Sequence, residues 1–296
     1  MTSNNIPDTF DFHRYNAAGA QVLAKLIKHV VCLSWIDVRS EPWGRGNTES
    51  DYDPAAFAAS AFVIALRGIW FLITAGHILH DLESRLENGR RIMKSRLLAD
   101  LTPTPASPAI PFNLGDAPQW YIDSDGMDYG VIALRSGFVG PLIADGILPL
   151  DETYWSDCPS DAEDYFLLGF PSQAKVLAIA SSGSQGTLNV SVSCPLLPVF
   201  RVSDPPETLR STSPRFYAKV PIADGIVGGS QIQLTDIDGM SGGPIFAVRW
   251  VDERHIQYWI VAVQSAWLKS ERILAACPIP PLVRAIEQSI DRHLEK

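Results

Sequence analysis

Apolar residues follow two different periods along this chain, and the switch between them outlines the elements. Between Tyr15 and His29, Val22, Leu23, Leu26 and Ile27 recur at helical spacing and predict a helix. From His29 the pattern becomes extended, with Val30 to Ile36 reading as a strand, followed by a polar loop from Glu41 to Asp53. Two apolar runs, Ser60 to Leu66 and Ile69 to Thr74, are separated only by Arg67-Gly68, which predicts a hairpin with glycine at a positive φ. A short helix is expected to start just after His77 and to end before Asn88-Gly89.

Further strands are expected at Tyr129 to Leu134, Tyr165 to Gly169, Val176 to Ala180, Leu188 to Ser193, Phe216 to Val220, Pro244 to Val248 and Ile256 to Ser265. Short strands broken by turn signals indicate an all-β sandwich or barrel rather than βαβ units. Ser203 to Pro214, rich in Ser, Thr and Pro, reads as an exposed loop, and Ser136 to Leu148 as a Gly- and Pro-containing connector between two halves. Pro281 to Lys296 returns to helical spacing, with Leu282, Ala285, Ile286, Ile290 and Leu294 on one face.

Composition narrows the class. With 296 residues, 46% hydrophobic and 19% charged, the chain has material for one large or two coupled domains and too little charge for disorder. The net charge of −9 disfavours nucleic acid and anionic membrane surfaces as partners, since both need a basic footprint. Met1 to Asn16 is polar and has no secretory apolar core, and the apolar stretch Ala55 to Leu66 is too short to span a bilayer. The cysteines Cys32, Cys158, Cys194 and Cys277 are scattered without a C-x-x-C pair. Reduced, buried thiols in a cytoplasmic protein are therefore expected, with no metal and no cofactor.

Three short stretches carry chemistry. Leu72-Ile73-Thr74-Ala75-Gly76-His77 runs a strand into a small-residue turn ending in a histidine. Asp128-Tyr129-Gly130-Val131-Ile132-Ala133-Leu134 puts an acid at the mouth of an apolar strand, and Gly239-Met240-Ser241-Gly242-Gly243-Pro244 encloses a serine in glycines. A serine hydroxyl becomes a useful nucleophile when an imidazole takes its proton, and a carboxylate on the other ring nitrogen fixes the tautomer. Glycines beside the serine let consecutive N–H groups aim at one developing oxyanion, and Gly242-Gly243 is expected to give a substrate backbone room to approach.

In the order His, Asp, Ser, these stretches resemble the trypsin-like (chymotrypsin-fold) serine peptidases over about Val30 to Lys296. The resemblance implies an all-β protein of two six-stranded Greek-key barrels with the site in the cleft between them, flanked by an N-terminal and a C-terminal helix. The implied organisation is an N-terminal extension with a helix at 1–28, a first barrel at 29–145, a second at 146–278 and a terminal helix at 279–296. Carried over, His77 is the general base, Asp128 its orienter and Ser241 the nucleophile, with the N–H groups of Gly239 and Ser241 forming the oxyanion hole.

Two departures point to the cytosolic bacterial branch: Met240 stands where secreted members keep an acid for a freed N-terminus, and Ile78 where they carry a disulfide cysteine. At the position of trypsin's specificity acid stands Thr235, with Asp236 beside it, and Ser265 ends the strand expected to wall the pocket and to reach the triad carboxylate. The implied activity is that of a serine endopeptidase acting on protein or peptide substrates. Similar standalone peptidases serve bacterial signalling and defence, so a regulatory protein partner is also expected.

Other readings compete. The G-x-S-x-G elbow of α/β-hydrolases needs a helix after the serine, which Gly242-Gly243-Pro244 would break. Asp123 and Asp125 rival Asp128, but neither directly precedes an apolar run. His80 is expected on a helix surface and His255 at a solvated hairpin tip. The rival from another class is a protease-fold module that grips peptides without cutting them.

Overall fold

The computed structural model describes residues 12–39, 55–98, 109–114, 117–156, 162, 164–180, 187–221, 234–252 and 255–294. The loop expected from Glu41 to Asp53 and the thiol of Cys158 lie outside them. Helix α1 (Phe12–Leu26) leads into strands β1 (Val30–Arg39), β2 (Ala55–Leu66) and β3 (Ile69–Thr74). Helix α2 (Gly76–Glu87) follows, then β4 (Arg90–Leu98), β5 (Ile110–Pro111), β6 (Gln119–Ser124), β7 (Met127–Ala133) and α3 (Ser136–Ala144). The second half holds β8 (Asp164–Leu168), β9 (Lys175–Ala180), β10 (Thr187–Val192), β11 (Leu196–Arg201), β12 (Phe216–Lys219), β13 (Pro244–Trp250), β14 (Ile256–Leu268), β15 (Ile273–Pro278) and α4 (Ile279–Leu294).

One barrel is closed where the resemblance implies two. The second half forms a closed six-stranded barrel in the order β11-β12-β15-β14-β13-β8, with β9 and β10 as a separate ribbon. The first half is a seven-stranded antiparallel sheet in the order β5-β4-β1-β2-β3-β7-β6. Closure would require its edge strands to pair. Edge strand β5 has only two residues, and Pro111 has no N–H to donate.

The expected hairpin is present: Val63 pairs with Leu72, and Arg67 (φ 51°) and Gly68 (φ 78°) are both left-handed, as a type I′ turn requires. The β6–β7 hairpin uses the same device at Asp125 (φ 53°) and Gly126 (φ 79°). Its first strand, Gln119–Ser124, is half exposed, and its single apolar run Trp120-Tyr121-Ile122 lacks the alternation that marks a strand. The stretch from Ser136 departs from its expectation as a connector, because Ser136–Ala144 is helical with Pro141 inside. Burial of Leu142, one side chain on an otherwise mostly exposed helix, holds it in place despite Gly137, Gly140 and Pro141.

The two halves share a core. One apolar cluster joins Val22 and Leu26 of α1, Phe62 and Ile73 of the sheet, Phe166, Phe246 and Ile260 of the barrel, and Leu282 and Ile286 of α4. Beside that shared core lies His29, 1% exposed, between α1 and β1. Its Nδ1–H donates to Leu148 O at 2.7 Å, so the neutral ring leaves Nε2 to accept from the Tyr258 hydroxyl at 2.9 Å. Burial, opposed by the Leu148 hydrogen bond, lowers the His29 pKa to about 4. The side chains of Cys32, Cys194 and Cys277 are buried. No helix among the described residues is long and apolar enough to cross a membrane.

Because His29 is neutral when folded and protonates near pH 6.5 when unfolded, its stabilisation is complete above pH 6.5 and is lost as pH falls towards about 4. We expect about 3 kcal/mol of stability to disappear over that window through this residue alone. Urea denaturation at stepped pH checks it: His29→Gln should flatten the profile there, and an unchanged slope would place the acid sensitivity elsewhere.

Candidate active site

The end of β3 turns at Ala75 into α2, so His77 is the second residue of the helix rather than the residue before it. Ala75, the N-cap, offers no side-chain acceptor to the first turn's N–H groups. Asp128, the second residue of β7, supplies it from across the sheet: its Oδ1 accepts His77 N–H at 2.8 Å. The same carboxylate then takes His77 Nδ1–H on Oδ2, also at 2.8 Å. Ring and backbone of one histidine are thereby fixed by one acid. Gly76 permits the approach, since a Cβ there would stand 2.2 Å from Ile122 O and 3.0 Å from Asp128 Oδ1. At its other end α2 is tied down by Arg85, which donates to the buried Asp37 of β1 at 2.7 Å and lies over the Phe57 ring.

The barrel adds the third partner of the acid. Register along β14 slips between Gln264, opposite Ala276, and Ala266, opposite Ala275, leaving Ser265 as the bulged residue. A bulge re-aims its side chain, and Ser265 Oγ–H donates to Asp128 Oδ2 at 2.6 Å. Asp128 is therefore buried yet saturated. Burial pushes its pKa up, but His77, Ser265 and the His77 N–H outweigh this and hold it below the usual carboxylate range. For His77 burial pushes down, but the bond and charge of Asp128, with Asp123 and Asp81 behind it, outweigh burial and raise the pKa above 6.5.

Ser241 sits in the turn before β13, with its Oγ–H directed to Ser265 O at 3.4 Å. Among the described residues no hydrogen bond joins it to His77. The turn itself is tightly specified. Gly239 (φ 87°) and Gly242 (φ 86°) are left-handed. Met240 N–H donates to Ile237 O, Gly242 N–H to Gln264 O and Gly243 N–H to Met240 O. Gly242 and Gly243 serve the protein's own packing rather than a substrate's approach, contrary to expectation. A Cβ on Gly242 would lie 2.3 Å from Thr74 Oγ1 and 2.4 Å from Ser60 O, and one on Gly243 2.2 Å from Leu168 O. Met240 is fully buried and lies against Gly169.

The remaining candidates are engaged within the protein. Thr235 is locked to Gln173, whose amide donates to its Oγ1 at 2.6 Å and accepts its N–H at 3.0 Å. Asp236 accepts from Trp267 Nε1 at 2.9 Å, from Asp238 N–H at 3.1 Å and from Lys269 Nζ. Asp123 pairs with His80 at 3.2 Å, and Asp125 occupies the β6–β7 turn, so neither takes the place of Asp128. His255 closes the β13–β14 hairpin on Asp252 and is exposed.

Sequence reasoning missed Ser60. Buried in β2, its Oγ–H donates to Gly239 O at 3.1 Å and accepts Phe170 N–H at 2.8 Å, while its carbonyl accepts from Thr74 Oγ1 at 2.8 Å. It stitches the serine turn to the sheet that carries His77. In an alanine-rich apolar strand, a lone serine carries no signal beyond its own polarity.

No protein-family model and no curated protein matches the chain. Solved structures do match. They include an HtrA-type protease with a decapeptide, at 16% identity and TM-score 0.42, covering 93% of this chain and 67% of that one. Another is the catalytically inactive tobacco etch virus protease complexed with substrate, at 13% identity and TM-score 0.37, covering 87% and 81%.

Ser60→Ala leaves the buried Phe170 N–H without its acceptor and is expected to cost about 1–3 kcal/mol in urea denaturation. A loss under a few tenths of a kcal/mol would show that the stitch is dispensable.

Proposed function

We propose that this protein is a serine endopeptidase with Ser241 as nucleophile, His77 as general base and Asp128 as orienter. The observation that carries the reading is the saturated carboxylate: Asp128 fixes the imidazole through Nδ1 and leaves Nε2 for proton transfer. The His77 side chain is 38% exposed against 9% for Asp128, so the base is open to a substrate and its orienter is not.

Ser241 Oγ attacks the scissile carbonyl carbon as its proton passes to His77 Nε2. The tetrahedral oxyanion is received by the N–H groups of Gly239 and Ser241, a role supported by the left-handed turn at Gly239. Collapse breaks the C–N bond, and His77 returns its proton to the departing amine. Water then repeats the sequence on the acyl-enzyme and restores Ser241. Rotation about the Ser241 Cα–Cβ bond, away from Ser265 O, is the movement required first.

That orientation of Ser241 also favours a second reading, a protease-fold module that holds peptides without cutting them. A cytoplasmic setting remains part of this reading, and control by a protein partner fits a nucleophile awaiting rotation. Met240 supports competence without zymogen cleavage, because a thioether fills the place where an ammonium would need an anion.

Covalent labelling by a fluorophosphonate or peptidyl phosphonate, followed by mass spectrometry, separates the readings: label on Ser241 supports the peptidase, and peptide binding without label supports the module. Ser241→Ala and His77→Ala should each lower kcat by several orders of magnitude, up to about 10⁶, without loss of fold. Wild-type turnover in Ser241→Ala would locate the chemistry elsewhere. Since the base acts when neutral and its pKa is raised, kcat/KM should fall on acidification with a midpoint above pH 6.5.

Asp236 makes a further expectation specific. If the pocket lies where the resemblance implies, its carboxylate is already matched by Lys269, Trp267 and the Asp238 N–H. Profiling on a peptide library should therefore show no enrichment of Lys or Arg on the acyl side of the cleaved bond. Strong enrichment would mean that Asp236 is released on binding.

A further inference from the structure

Arg215, immediately before β12, holds a half-buried guanidinium with no carboxylate partner among the described residues. Its Nη2 donates to Ser265 Oγ at 2.5 Å and points towards Cys277 Sγ at 3.7 Å, and its buried Nε has no partner among the described residues. Removing such a cation from water without an anion costs free energy. The anion it reaches is one hydroxyl away. Ser265 spends its single proton on Asp128 Oδ2 at 2.6 Å and takes the arginine's proton on a lone pair. Donation therefore runs in one direction, from Arg215 to Ser265 to Asp128, meeting at the same carboxylate the hydrogen bond from His77 Nδ1–H.

We propose that Arg215 is a positioning residue of the catalytic site, holding Ser265 in the rotamer that donates to Asp128 and placing a positive charge behind the triad. The proposal rests on the peptidase reading for its catalytic consequence and on geometry for its placement. A hydroxyl with no donor on its lone pair rotates freely; one that accepts from a guanidinium is fixed, and the bond it donates is strengthened.

The arginine's own position is fixed by the loop from 202 to 214. Ser211 Oγ–H donates to Asp125 O at 3.0 Å, and a Cβ on Gly126 would stand 1.6 Å from Ser211 Oγ, so the loop sits on the tip of the β6–β7 hairpin. Cys277 S–H donates to Gly126 O at 3.4 Å and Tyr129 O–H to Pro278 O at 2.6 Å, clamping that hairpin to the barrel from the other side. The strand that begins there carries Asp128.

The sign of the electrostatic effect follows from the groups present. His77 faces Asp128 of β7, Asp123 of β6 and Asp81 of its own helix. Arg215 faces the Cys277 thiol of β15 and the Tyr129 phenol of β7, on which Arg284 of α4 also acts. Burial holds both of those groups protonated and neutral, so neither cancels the guanidinium. A cation one hydroxyl away from Asp128 favours its ionised form and disfavours a second positive charge on His77. Removing it should raise the His77 pKa and so reduce the neutral base present at acidic pH.

The test is a pH titration of the His77 ring by NMR in wild type, Arg215→Met, Arg215→Gln and Arg215→Lys, with folding checked by circular dichroism. Alongside it runs the pH profile of kcat/KM on a peptide selected from a library. The uncharged variants should titrate at higher pH than wild type, lose kcat with little change in KM and shift the acid limb in the same direction, while Arg215→Lys should keep the wild-type titration. Arg215→Gln keeps a planar donor, so it carries the test should Arg215→Met fail to fold. A His77 titration identical in wild type and the uncharged variants overturns the proposal, as does Arg215→Lys behaving like Arg215→Met. The NMR arm needs no turnover. A shifted His77 in a protein that neither cleaves nor labels would sink the peptidase reading and leave the electrostatic link standing.

Discussion

A carboxylate buried between two lobes can persist as an anion only if donors surround it, and this fold is arranged so that Asp128 has them. The donors come from parts of the chain that local interactions alone would never bring together. The backbone and ring of His77 belong to α2 at one edge of the sheet, and the Ser265 hydroxyl belongs to a bulge in the longest strand of the barrel. Separation of the lobes would leave the anion short of a donor, so the cost of burying Asp128 is also a penalty on their drifting apart. Orientation of the imidazole and registry of the lobes are two consequences of one electrostatic requirement.

The serine turn obeys a steric counterpart of that requirement. Gly242 admits Thr74 and Ser60 to within distances that no side chain would allow, and Ser60 grips the carbonyl of Gly239 at the other end of the turn. Ser241 thus rides on a loop pinned at both ends to the sheet from which α2 and His77 lead off. Glycines that would make an isolated loop flexible are what hold this one in place, because the space they vacate is filled by the sheet at Gly242 and by Leu168 of the barrel at Gly243.

Much of this was legible in the sequence, and the exceptions share a cause. The β2–β3 hairpin and His77, Asp128 and Ser241 carry their signals locally, in a turn dipeptide or a cluster of small residues around one functional side chain. Asp128 stood out from Asp123 and Asp125 because an apolar strand follows it directly, and that strand brings it to His77. What escaped was set by partners distant in sequence. Ser60 looks like any small residue in an apolar strand until Gly239 and Phe170 arrive. Strand β6 has only a three-residue apolar run between polar ends and is recruited by pairing with β7. Helix α3 overrides two glycines and a proline through the burial of Leu142. Closure of the first lobe failed as an expectation for a comparable reason, since a two-residue edge ending in Pro111 cannot continue the ladder.

Met240 completes the physical picture of how the turn is held. A buried carboxylate at that position would need a cation to arrive before the turn became stable, making the geometry conditional. A thioether needs only apolar neighbours, and those are permanently present: Met240 is sealed in the barrel's apolar cluster with Leu167, Val199 and Ile245 and lies against Gly169. Packing therefore supports the backbone of the serine turn unconditionally, while the side chain of Ser241, turned to the Ser265 carbonyl, keeps a rotational degree of freedom. Any control over this site then has a small target. It needs to move one hydroxyl rather than build a loop, and the strand it must act through is the same bulged segment of β14 that already ties Asp128 to the barrel.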